Sequence, residues 1–88
     1  MVMHPAIKLR HIRLFLQIAD SGSLSAAARG LALSQPALSK SLAELEDLIG
    51  APLFLRSGRR LILTPEGEGL RRHARDAVAS LDAGANAA

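Results

Sequence analysis

The sequence predicts a mainly helical domain with one short β-hairpin between its third and fourth helices. Three observations carry that expectation. Hydrophobic residues make up 49% of the 88-residue chain but only two, Phe15 and Phe54, are aromatic. Such a composition suits helices packed with Leu, Ile and Ala better than a β-sandwich. Apolar residues recur every three or four positions over most of the chain, and Ser23, Ser34 and Thr64 stand where helices would start. The period changes once, in LFLRSGRRLILT (53–64), to two short apolar runs around Ser-Gly-Arg-Arg. A chain of this size holds one core and therefore one domain.

Over Lys8–Ser21, residues Leu9, Ile12, Phe15, Leu16 and Ala19 define the buried face of a first helix, with Arg10, Arg13 and Gln17 opposite. Asp-Ser-Gly-Ser at 20–23 ends it. Ser23 caps a short second helix, LSAAARGL (24–31), whose Ala26, Ala27 and Ala28 allow a neighbouring helix to approach closely. After the tight connection ALS (32–34), Ser34 caps a third helix with Pro36 in its first turn, where a missing N–H costs nothing. Leu38, Leu42, Leu45 and Leu48 or Ile49 line its buried face, and Gly-Ala-Pro stops it at Ile49. The hairpin follows, with Arg59 and Arg60 at a basic tip. Thr64 then starts a last helix with Pro65 and Glu66 in its first turn. Gly67 and Gly69 each weaken that turn by roughly 1 kcal/mol relative to alanine. Leu70, Ala74, Ala77, Val78 and Leu81 form one stripe along this helix to residue 83. The expected organisation is a leader (1–6), a compact domain (7–63), a long helix (64–83) and a disordered tail (84–88).

Two short helices joined by a three-residue turn suggest a helix-turn-helix, with Ala28, Leu31, Leu33, Leu38 and Leu42 packing the pair together. The start of the third helix is unusual in carrying neither a carboxylate nor a large apolar side chain on its outer face until Glu44. In a helix-turn-helix that end faces base edges in the major groove, where a carboxylate would be repelled by phosphates and a bulky group would block approach. Gln35 suits a bidentate contact to adenine, Lys40 a guanine or phosphate, and Pro36 or Ala37 a thymine methyl. Ser34 and Ser39 add hydroxyls, and the free N–H groups of the helix end favour a phosphate. Arg59 and Arg60 on the hairpin suit an adjacent backbone or a narrow minor groove. Arg56 reads either as a further DNA contact or as the partner of Glu44 or Glu46.

Other classes of function find little support. Without cysteine there is neither a disulfide nor a thiolate metal site. His4, His11 and His73 are too scattered for a ligand set and are expected at a surface or interface. No glycine-rich phosphate loop or nucleophile–base spacing is present, so neither an enzyme nor a cofactor is expected. No apolar run nears the roughly 18 residues of a membrane span, and the first ten residues lack the apolar core of a signal peptide, which makes the cytoplasm the expected compartment. The net charge of +3 and pI near 10.6 agree with an anionic partner. Arg71, Arg72 and Arg75 are expected only to solubilise the last helix. Its apolar stripe needs a partner, which makes a homodimer through Leu70, Ala74, Ala77, Val78 and Leu81 the expectation.

Residues 7 to 83 together resemble the N-terminal part of the LysR-type transcriptional regulators. LRHIRLFLQIADSGSLSAAARGL (9–31), LSQPALSKSLAELEDLIGAPLFLRSGRR (33–60) and LTPEGEGL (63–70) follow in that family's order and spacing. The run Ser34–Leu45 and the hairpin pattern of Leu53, Phe54, Arg56 and Arg59 carry most of the specificity. The resemblance implies a winged helix-turn-helix that reads an interrupted palindrome in double-stranded DNA as a dimer, its linker helix pairing antiparallel with its partner's. It also implies recognition-helix contacts from Ser34, Gln35, Pro36, Ala37, Ser39 and Lys40 and a wing contact from Arg59. Members normally continue into a two-lobed domain that binds a small-molecule effector, and this chain carries none of it. Two local departures stand out. Lys40 occupies a position where arginine is also common, exchanging a bidentate fork for a point charge, and Pro65-Glu66 replaces Ala-Ala or Glu-Ala. A reading from a different class is a winged-helix protein-interaction module with an incidental basic face.

Overall fold

A computed structural model describes residues 3–87. The elements run α1 (Leu9–Ser21), α2 (Leu24–Leu31), α3 (Gln35–Ile49), β1 (Phe54–Ser57), β2 (Arg60–Leu63) and α4 (Pro65–Ala87). This is the winged three-helix arrangement with a long last helix that the sequence predicts. No helix among the described residues is long and apolar enough to cross a membrane.

Helix α1 lies at the centre, packed against α2, α3, α4 and β2. Being covered from several sides, it buries a broader and differently turned face than its periodicity suggests. His11, Ile12, Leu14, Phe15 and Ile18 are inside, whereas Leu9 is 45% exposed. His11, expected at a surface or interface, is 2% exposed and lies between α1 and α3. Its Nδ1 accepts the Lys8 N–H at 2.9 Å, satisfying a donor at the helix start that the lysine side chain cannot, and its Nε2 faces Glu44 of α3 at 3.5 Å.

The caps read from the sequence are in place: Ser23 Oγ accepts the Ala26 N–H and Ser34 Oγ the Ala37 N–H, both at 3.2 Å. Ala27 and Ala28 are buried between α2 and its neighbours, and Leu38 and Leu45 are fully inside. Leu33, expected in the same packing, is 43% exposed instead. The chain reverses at Ala32 in the left-handed region (φ 56°, ψ 39°), and the Leu33 N–H bonds back to Ala28 O at 2.9 Å, which leaves its side chain at the rim.

The strands pair antiparallel, with Phe54 opposite Leu63 and Ser57 opposite Arg60. Such a ribbon is marginal alone, and here it is held at both ends. The Leu61 N–H donates to Gly22 O at 3.0 Å, and the rings of Phe15 and Phe54 meet at 5.4 Å, tilted by 45°.

Helix α4 continues to Ala87, so the tail expected to be disordered at 84–88 is helical over 84–87. Nothing in Asp-Ala-Gly-Ala-Asn-Ala-Ala stops a helix already running: the alanines are the best helix formers, and Gly84 costs only about 1 kcal/mol. Ala88 lies outside the described residues, as do Met1 and Val2 of the leader. Arg71 and Arg75 do more than solubilise, because α4 lies along α1. Both reach Asp20, Arg71 at 3.5 Å, while Arg13 reaches Asp82 at 3.0 Å. These exposed pairs orient α4 but contribute little stability each, on the order of 0.2–1 kcal/mol.

Candidate nucleic-acid interface

The outward surface of the first turns of α3 is built by its inward one. With Leu38, Leu42 and Leu45 drawn into the core, Gln35, Pro36, Ala37 and Lys40 are left exposed, and the first turn holds no acid. Ser34 uses one oxygen lone pair on the cap and keeps the other, with its hydroxyl proton, for a partner. Ser39 is half-buried and faces a shallow groove between α3 and the hairpin, beside Ala43 and Arg56.

At the wing the two-residue loop Gly58-Arg59 has Gly58 at φ 63°, the positive value that the first position of a tight hairpin turn requires. Arg59 is exposed at the tip. Arg60, expected beside it, leans back over the α1–α2 turn, where a Cβ added to Gly22 would lie 3.3 Å from its Nη2. Neither acid suggested for Arg56 is engaged with it: Glu44 faces His11, and Glu46 Oε2 accepts the Leu53 N–H at 2.6 Å. The sequence offered no signal for either bond, since both join residues whose approach only the packing creates.

Residues 9–68 match the family model for the bacterial regulatory helix-turn-helix proteins of the lysR family. The chain belongs to this family.

Within the lysR family, the chain is similar to an uncharacterised helix-turn-helix transcriptional regulator of Escherichia coli K12, YdcI, at 52% identity over 68 residues. That alignment covers 77% of this chain and 22% of YdcI. Among solved structures, the DNA-binding domain of BenM in complex with catB site 1 DNA superposes with a TM-score of 0.87 at 31% identity, covering 91% of this chain and 90% of that one. The CbnR DNA-binding domain bound to DNA gives 0.85 at 29% identity, covering 91% and 92%. The chain is thus a LysR-type DNA-binding helix-turn-helix domain, and it spans about a fifth of the length of the curated relatives it matches first (22% each).

The apolar stripe of this LysR-type domain is divided by the fold. Ala74 is 4% exposed, packed on the chain's own core at the floor of a groove, and Leu70 and Val78 are half-buried on that core beside it. Ala77 and Leu81 remain exposed. With Leu9 and Ile12 of α1 they border an apolar groove of about 370 Å³ running between α1 and α4.

Proposed function

We propose that this domain binds an interrupted palindromic operator as a homodimer. Residues 35–49 enter the major groove, and the wing lies on the adjacent backbone or minor groove. The observation that carries the reading is the exposed, acid-free start of α3, which presents Gln35, Pro36, Ala37 and Lys40 above a fully buried leucine face. Gln35 and Lys40 read base edges, Pro36 and Ala37 admit close approach, Ser34 and Ser39 supply hydroxyls, and Arg59, with Arg60 as a weaker second, neutralises phosphate. The groove between α1 and α4 receives the second copy's linker helix, with Leu81 and Ala77 at its open edge. Two copies joined in this way meet half-sites about one helical turn, ~34 Å, or a multiple of it apart. The domain does no chemistry of its own and acts in the cytoplasm. As the DNA-binding portion of a longer regulator, it would take its small-molecule signal from an effector domain outside this chain.

Selection from a random duplex pool at about 0.15 M salt, followed by sequencing of the retained DNA, tests the reading. Recovery of an interrupted palindrome is expected. A pool without enrichment would discard operator reading and leave the protein-interaction module, whose partner would occupy the same groove.

A further inference from the structure

We infer that the Pro52–Leu53 segment is the joint that fixes the angle between the recognition helix α3 and the linker helix α4, and that Glu46 and Thr64 are its positioning residues. Glu46, on α3, accepts the Leu53 N–H at 2.6 Å. The carbonyl of the same residue accepts the Thr64 N–H at 3.0 Å. The Thr64 hydroxyl donates to Pro52 O at 2.7 Å and accepts the Gly67 N–H from the first turn of α4 at 3.0 Å. Leu53 and Thr64 are 1% and 4% exposed. Helix α4 also seats directly on this peptide, for a Cβ on Gly67 would stand 2.2 Å from Leu53 O.

Both helices therefore hang from two consecutive residues through directional bonds, one of them to a carboxylate and correspondingly short. Side-chain packing alone would tolerate small rotations of α4 over the core, whereas this set of bonds does not. Resting on the proposed function, the consequence concerns DNA: α4 carries the dimer axis and α3 carries the reading head, so their angle sets which spacing of half-sites one dimer can span. Glu46 and Thr64 touch no base, yet they determine spacer selectivity.

The chain has no cysteine, so nitroxides can be placed at Asp47→Cys and Arg72→Cys, both exposed positions on α3 and α4. Labelled chains diluted into unlabelled protein report the α3–α4 distance by pulsed dipolar spectroscopy. The unsubstituted background is expected to give one narrow distribution. Glu46→Ala and Thr64→Val broaden it, and Glu46→Gln and Thr64→Ser, which keep the acceptor or hydroxyl, restore it. Unchanged widths in Glu46→Ala and Thr64→Val proteins with native circular dichroism would overturn the inference, and if Glu46→Ala does not fold, Thr64→Val decides. In the random-duplex selection, Glu46→Ala is expected to enrich the same half-site with a spread of spacers and to bind the original spacing about tenfold more weakly. A single unchanged spacer would count against the joint. If the unsubstituted protein enriches no DNA, the proposed function fails, while the spin-label widths still decide the joint.

Discussion

Ala32 sits in the left-handed region at φ 56°, the one non-glycine residue there among those described. It closes α2 with its N–H on Ala28 and Arg29 carbonyls, and its side chain is exposed, so nothing but backbone strain distinguishes it from glycine. Ala32→Gly is therefore expected to stabilise the domain by about 0.5–1 kcal/mol, the relief of strain exceeding the entropy glycine adds to the unfolded chain. A higher urea midpoint at unchanged slope checks this, and a lower one would show that the turn is not strained. Gln35 is the corresponding residue for recognition. Gln35→Ala should weaken binding to the selected duplex by about 1–3 kcal/mol and relax one base position. Binding all sequences as before would remove it from direct readout. Residue-scale features were legible in the sequence wherever their physics is local: Ser23, Ser34 and Thr64 cap their own helices, and an acid-free turn is a property of consecutive residues. The Glu46–Leu53 and His11–Glu44 contacts were not legible, because those partners lie 7 and 33 positions apart and are chosen by packing. The local bond from the Lys8 N–H to His11 Nδ1 was not legible either, because histidine is not among the usual capping residues.

At the scale of elements, the two glycines at the start of α4 separate. Both lower helix propensity equally, but only Gly67 is pressed against Leu53 O; around Gly69 a Cβ would meet nothing within 4 Å. Gly69→Ala is expected to raise the unfolding free energy by up to about 1 kcal/mol. Gly67→Ala should lower it by about 2 kcal/mol or more, because overpacking against a backbone carbonyl outweighs the gain in propensity. Thermal or urea unfolding of the two variants side by side gives the comparison, and equal effects would mean that α4 does not seat on Leu53. The wing separates in the same way. Arg59→Ala at the tip should reduce the slope of log affinity against log salt by about one, and Arg60→Ala, which loses a side chain resting on Gly22, by less.

For the whole molecule, the decisive question is what covers the groove between α1 and α4. The ion pairs of Asp20 and Asp82 with α4 and α1 arginines lie on the other side of the helix, and Leu81 is 54% exposed at the groove's edge. Leu81→Asp is expected to convert a dimer to a monomer in sedimentation experiments. It should also cost most of the affinity for a palindrome while sparing that for a single half-site. A dimer that survives the substitution would place the interface elsewhere.

By itself the sequence determined the number, order and type of the elements, their caps and the residues offered by the start of α3. Helix caps, periodicity and turn chemistry act over a few residues and are written in them. Only the tertiary structure decided which way α1 faces, that Ala74 lies buried at the floor of the groove between α1 and α4, that Arg60 turns away from the tip, and that α3, the wing and α4 meet at Leu53. Each of these depends on which surfaces come together once the helices exist, and a side chain's spacing along one helix does not say which of its neighbours will arrive.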